Sequence, residues 1–162
     1  MCLLKNMEID INLLKIQNTW WKDGDMKADL SVMTQKESAF TYLERLKKDI
    51  VLKKDKRYIL EGSRGIGKTT IIKTMINDLI ELENVSPGNI LYYSCHNLNS
   101  KEQLNELIKV FVNERKVKRG TLYIFFDEIN QVKDWHKGLD YLFKAGLLKN
   151  NCMLVSRSIY SQ

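Results

Sequence analysis

A glycine-rich run ends in a lysine and a threonine, a combination that can hold the phosphates of a nucleotide. It matches the Walker A pattern G-x-x-x-x-G-K-[ST]. Its residues are Gly62, Ser63, Arg64, Gly65, Ile66, Gly67, Lys68 and Thr69, and Thr70 follows. Glycines let backbone N–H groups approach phosphate oxygens, and a helix beginning at the lysine adds its positive end. We therefore expect this run to bind ATP, with Lys68 on the β- and γ-phosphates and the Thr69 hydroxyl on Mg²⁺.

A pair of acids, Asp127 and Glu128, follows the apolar run 122–126. Acids at the carboxyl end of a buried parallel strand lie at the ligand edge of the sheet. There Asp127 is expected to hold the Mg²⁺ shell, and Glu128 to deprotonate an attacking water as general base. Glu128 could instead simply begin the loop after the strand. With the glycine-rich run, this Walker B-like pair predicts Mg·ATP hydrolysis, with Lys68 and Glu128 as catalytic residues.

The elements that must position these residues alternate along the chain between apolar runs and amphipathic segments. Strands are predicted at 58–60, 90–93, 122–126 and 153–155. Helices are predicted over 69–82, after a capping box of Ser100 with Gln103, and from an N-cap at Asp134 to about Gly146. This alternation predicts an α/β fold with a parallel sheet covered on both faces.

Residues 1–55 are predicted to form a helical extension ahead of the α/β core. Apolar residues at helical spacing indicate an amphipathic helix at 7–18, and Thr34 is expected to begin a second helix. The adjacent tryptophans Trp20 and Trp21 either dock this extension onto the core or stack on adenine.

Composition narrows the classes of protein that the chain can belong to. The length of 162 residues suggests one domain, or one domain plus a short extension, and the chain is 44% apolar and 28% charged. No apolar run approaches the roughly 18 residues that cross a bilayer, so no membrane partner is expected. Three scattered cysteines indicate free thiols, and a cytoplasmic protein is expected. The net charge of +6 and the basic run 115–119 permit nucleic-acid contact without indicating it, because a solvated loop explains the run as well.

From about residue 17 to 158, the sequence resembles the AAA-like P-loop ATPases of prokaryotes, which often carry a further C-terminal domain. The resemblance rests on the segment 17–21 (QNTWW), on the glycine-rich run, and on the segment 126–135 (FDEINQVKDW). Members of that family usually have Asp-Glu-Ile-Gln where this chain has Asp-Glu-Ile-Asn, followed by Gln131.

This resemblance implies a three-layer P-loop NTPase sandwich over residues 56–162, with a parallel sheet of order 1-4-3-2. It also implies a polar residue after the fourth strand that senses the γ-phosphate. Ser156 and Ser158 occupy that place, on either side of Arg157. Either serine could instead be an ordinary residue at a strand end.

The resemblance also implies that the core is incomplete at its C-terminal end. In the family, a fifth strand lies beside the strand that precedes the phosphate-binding loop, and no such strand is predicted here. The strand 57–61 should then lie at an open edge, available to a missing C-terminal fragment or to a second copy of the chain, unless the N-terminal segment covers it. An inactive nucleotide-binding remnant or a binding module is therefore the alternative function. A small-molecule kinase, which would share the loop, is disfavoured by Glu128 beside Asp127.

Overall fold

Four strands and the helices between them account for most of the described structure. A computed structural model of the chain describes residues 9–26, 50–115 and 119–159. The helices are α1 Ile11–Gln17, α2 Trp20–Asp23, α3 Lys68–Glu81, α4 Lys101–Glu114 and α5 Trp135–Lys144. The strands are β1 Arg57–Gly62, β2 Ile90–Ser94, β3 Leu122–Asp127 and β4 Asn151–Ser158. Three single 3-10 turns lie at Pro87–Asn89, Cys95–Asn97 and Ile129–Gln131.

The sheet has the order β1-β4-β3-β2, and each neighbouring pair of strands is parallel. A parallel pair cannot be joined by a tight hairpin, so helices α3, α4 and α5 serve as the crossovers. This arrangement confirms the predicted α/β fold and its 1-4-3-2 order. It brings the carboxyl ends of β1, β3 and β4 together at one edge of the sheet.

Each face of the sheet carries its own apolar core, because side chains alternate along the strands. One face packs against α3 through Ile71, Ile72, Met75, Ile76 and Leu79, together with Tyr92, Phe125 and Leu154 of the strands. The other packs against α4 and α5 through Leu104, Leu107, Ile108, Phe111, Leu139 and Leu142, together with Leu91, Ile124 and Met153. The result is the predicted sandwich of three layers.

Two helices begin after the predicted capping residues, but the contacts of those residues differ. The Ser100 hydroxyl accepts a hydrogen bond from Gln103 N at 3.4 Å, so α4 begins as predicted. Asp134 precedes α5 but makes no capping bond and has φ +55°. Its carboxylate instead lies 3.0 Å from the Lys137 ammonium. Asp134 therefore occupies the predicted N-cap position of α5, but its carboxylate forms a local ion pair instead of a capping hydrogen bond.

Residues 9–26, here called the N-terminal hook, wrap around the β2 edge of the sheet. Leu14 lies in the core on the α4 and α5 side, and Trp20 lies in the core on the α3 side. The first helix begins at Ile11, later than predicted, because the Asp10 carboxylate caps it by accepting from two backbone N–H groups. The helix predicted from Thr34 falls outside the described residues.

The opposite edge of the sheet is formed by β1. Along its outer side, β1 pairs with no other strand among the described residues, and the hook lies at the far edge. Ile59 in the middle of β1 is 54% exposed. The sequence predicts that β1 lies at an open edge unless the N-terminal segment covers it. In the described part of the chain, the hook covers the β2 edge and leaves the β1 edge open.

Candidate nucleotide-binding site

The phosphate-binding loop connects β1 to α3 at the carboxyl edge of the sheet. Gly65 and Gly67 have φ +79° and +100°, a backbone region that side chains with a Cβ rarely adopt. Helix α3 begins at Lys68, directly after the second of these glycines. The first turn of α3 therefore directs its unpaired N–H groups toward the loop, an arrangement suited to anions.

Lys68, the first residue of α3, extends its side chain back into this loop and is only 4% exposed. Its ammonium donates to the carbonyls of Gly62 and Ser63 and to the Ser158 hydroxyl, each at 3.0 Å. The Glu128 carboxylate lies 3.7 Å away. A lysine has three N–H donors, and all three have acceptors here.

Asp127 connects the acidic motif to the start of α3, next to the phosphate-binding loop. The Thr69 hydroxyl donates to its Oδ2 at 2.5 Å, and Ser156 donates to its Oδ1. The Tyr92 hydroxyl also donates to Oδ2, at 3.1 Å. The carboxylate is 3% exposed, so these hydroxyls offset the cost of burying its charge.

Glu128 leaves the strand in a left-handed backbone conformation, with φ +55°. Its N–H donates to the Ser156 hydroxyl at 2.9 Å, and its carboxylate accepts from the Ser158 hydroxyl at 2.7 Å. The two candidate sensors therefore have different contacts. Ser156 is fully buried against Asp127, whereas Ser158 lies between Lys68 and Glu128.

Several predicted residues lie at the rim of the site. Ser63, Arg64 and Ile66 are exposed on the loop, and Thr70 is half-buried in the first turn of α3. Arg157 forms an ion pair with Glu61, the residue just before the loop, with Nε 2.6 Å from the carboxylate.

Two contacts of the site were not expected from the sequence. The Asn130 side chain accepts a hydrogen bond from Ser158 N at 3.2 Å, which ties the turn after β3 to the end of β4. Gln131 is exposed. Tyr92 was predicted only as part of a strand, because a tyrosine in an apolar run gives no sign of a partner beyond the core.

Cys95 directly follows β2 and lies near the acidic pair. Burial, together with the nearby carboxylates of Asp127 and Glu128, raises the pKa of this thiol. A neutral, buried thiol is a poor nucleophile and a poor metal ligand. In residues 9–26, 50–115 and 119–159, no three His, Cys, Asp or Glu side chains cluster as a metal site. The oxygen atoms of Thr69 and Asp127 fit Mg²⁺, which takes few protein ligands beside phosphates.

The sheet order and the loop that leads from β1 into α3 define an α/β protein of the P-loop class. A family model described as "AAA domain" matches residues 54–159, and the chain belongs to that family. This membership indicates a nucleotide-binding, ATPase-like protein. A search of curated proteins finds no match. No helix of the described segments is long and apolar enough to cross a membrane.

Proposed function

We propose that this domain binds Mg·ATP and hydrolyses it. The observation that carries the proposal is the contact between the Thr69 hydroxyl and Asp127 Oδ2 at 2.5 Å. It joins the phosphate-binding loop to the acidic motif at the one place where a phosphate-bound metal would need both. AAA family membership supports the same reading.

The loop would bind the phosphates through backbone N–H groups and the start of α3. Lys68 would move its ammonium from at least one present acceptor, such as Ser158, to the β- and γ-phosphate oxygens. Because the ammonium is nearly buried, its attraction to phosphate is weakly screened by water.

The metal would be held by the Thr69 hydroxyl and, directly or through water, by Asp127. When bound, Mg²⁺ neutralises charge that develops on the phosphate oxygens. The hydroxyls of Ser156 and Tyr92 would keep the Asp127 carboxylate in place.

Glu128 would accept a proton from the attacking water. Its left-handed backbone directs the carboxylate out of the strand and toward Lys68 and Ser158. Ser158, freed from Lys68, would then contact the γ-phosphate as the sensor, and Ser156 would act on Asp127.

The proposal also includes the cellular compartment of the protein and its binding partners. The free thiols of Cys95 and Cys152 support a reducing, cytoplasmic compartment. The β1 edge supports a second strand-bearing chain as partner, either another copy or a separate fragment.

Substituting Lys68 with alanine tests the proposal. Lys68→Ala should weaken binding of a fluorescent ATP analogue by about tenfold or more, because the substitution removes a cation that hydrogen-bonds charged oxygens. Lys144→Ala changes an exposed lysine of α5 and is the charge-matched control. An unchanged dissociation constant for Lys68→Ala would refute phosphate binding by this loop.

A further inference from the structure

Tyr92 connects the sheet edge to the candidate metal site. It lies in the middle of β2, with its ring in the core on the α3 side and only 5% of its surface exposed. Its hydroxyl donates to Asp127 Oδ2 at 3.1 Å, the same oxygen that accepts from Thr69. The carboxylate is thus held from three strands and a helix: its own β3, Ser156 of β4, Tyr92 of β2 and Thr69 of α3.

The N-terminal hook holds the backbone of this tyrosine. The Asn18 side chain accepts from Tyr92 N at 2.7 Å and donates to Tyr92 O at 2.8 Å. Asn18 is 1% exposed, so water does not compete for these bonds. One amide side chain therefore occupies both backbone groups of Tyr92, as a neighbouring strand would.

The hook also approaches the tyrosine ring. The Lys73 ammonium lies 4.1 Å from the centre of the Tyr92 ring and 5.2 Å from the centre of the Trp20 ring. Lys73 is nearly buried between these two aromatic side chains, where cation–π attraction is strengthened by the low dielectric. Moving Trp20 would therefore disturb the packing that orients the Tyr92 hydroxyl.

We propose that Tyr92 is a positioning residue for the Asp127 carboxylate, and that through it the docked hook raises the affinity of the site for Mg²⁺. This rests on the proposed function, because the metal is the ligand that Asp127 would bind. A carboxylate held in one rotamer loses less entropy on metal binding. Coupling between two sites is reciprocal, so Mg·nucleotide must in turn stabilise docking of the hook.

Tyr92→Phe removes only the hydroxyl and tests the positioning role. The readout is binding of an ATP analogue as a function of Mg²⁺ concentration. The Mg²⁺ midpoint should rise about tenfold, as expected for loss of one hydrogen bond to a charged group, while nucleotide affinity in EDTA stays unchanged. Tyr123→Phe is the matched control, since Tyr123 lies on the same face but near the amino end of β3.

Hydrogen exchange on the unmodified chain tests the coupling without any mutation. Backbone amides of residues 11–23 should gain protection with Mg²⁺ and nucleotide together, and gain less with either alone. The Tyr92 proposal alone would be overturned if wild type and Tyr92→Phe had the same Mg²⁺ midpoint. It would also be overturned if Mg²⁺ did not change the exchange protection of the hook amides. Wild-type nucleotide binding that does not depend on Mg²⁺ would overturn the metal assignment as well. If Tyr92→Phe does not fold, the exchange measurement decides.

Discussion

At the scale of single residues, the adjacent carboxylates of Asp127 and Glu128 differ in the number of hydroxyl groups that donate to them. Asp127 is buried and accepts from the hydroxyls of Thr69, Tyr92 and Ser156, so both of its oxygens are fixed. Glu128 has a hydroxyl partner on only one oxygen in the described contacts, from Ser158. A fixed carboxylate suits a metal, and a less constrained one suits proton transfer. The left-handed backbone at Glu128, which costs of the order of 1 kcal/mol, separates the two side chains.

Glu128→Gln should retain Mg·ATP binding and lose hydrolysis. The glutamine side chain keeps an oxygen that can accept from Ser158, so the loop and the site should keep their geometry. It cannot take a proton from water, and the turnover number should fall by about a hundredfold or more. Phosphate release and analogue binding, measured on the same preparation, check both halves.

Glu81→Gln is the matched control for that substitution. Glu81 is an exposed glutamate in the last turn of α3, at the end of the helix opposite to the phosphate-binding loop. Its turnover should match that of wild type. Hydrolysis by Glu128→Gln at the wild-type rate would show that another group, or water alone, accepts the proton.

The buried thiols should make stability fall at alkaline pH. Burial raises the pKa of Cys152 to about 11 and also raises that of Cys95, against roughly 8.5 in an unfolded chain. The folded state therefore holds these protons more tightly. This contribution is complete below about pH 8.5 and is lost as the pH rises toward 11. Denaturant titrations of Cys2→Ser across this range check the sign, and Cys152→Ala in that background should fall less steeply.

The same thiols should resist a thiol reagent in the native state. At pH 8, native Cys2→Ser should react slowly, because little thiolate is present, and both remaining thiols should react after unfolding. Rapid labelling of the native protein would contradict the burial of these two residues.

At the scale of elements, the hook replaces a missing neighbour strand with side chains. The outward backbone groups of β2 belong to alternate residues, Ile90, Tyr92 and Ser94. Side chains of the hook bind all three: Trp20 and Trp21 donate to Ile90 O, Asn18 pairs with Tyr92, and Gln17 accepts from Ser94 N. An edge strand covered in this way cannot pair with another chain.

Asn18→Ala should destabilise the fold by about 3 kcal/mol. The substitution leaves a buried N–H and a buried carbonyl of Tyr92 without their partner, and each such group costs about 1–3 kcal/mol. Chemical denaturation measures the change. Asn12→Ala, at an exposed position of α1, should alter stability by no more than about 0.5 kcal/mol. Equal effects of the two substitutions would mean that the hook contributes little to the folded state.

Periodicity could predict the elements but not the contacts between distant ones. The apolar run before Asp127 and the stripe after Lys68 are local signals, and the parallel sheet follows from their alternation. The contact between Tyr92 and Asp127 depends on the register of β2 against β3, which no local pattern encodes. Asn18 looks like any polar residue at a helix end. The sequence predicts Asp134 as the N-cap of α5, but it does not show that Lys137, one turn on in the same helix, takes the Asp134 carboxylate.

At the scale of the whole molecule, the sheet has one covered edge and one uncovered edge in the part that the structure describes. The hook passes into the cores on both faces, so it is continuous with the sandwich and does not stand apart from it. The division into an extension at 1–55 and a core at 56–162 remains a prediction. The family match begins at residue 54, close to that boundary.

The β1 edge should drive self-association. Its outer backbone groups pair with no strand among the described residues, and Ile59 beside them is 54% exposed. Edges of this kind recruit strands from other chains, and a lysine on the edge strand opposes such pairing. Size-exclusion chromatography with light scattering should therefore show a mass that rises with concentration. Ile59→Lys should shift it toward the monomer.

Leu82→Lys is the control for this effect, because Leu82 is 72% exposed just after α3 and lies outside the sheet. It adds the same charge and removes a comparable apolar side chain, so a general gain in solubility would affect both variants alike. Association through β1 requires that only Ile59→Lys lowers the mass. A wild-type chain that stays monomeric at every concentration would show that the β1 edge is protected, and the partner predicted for this edge would then have no basis.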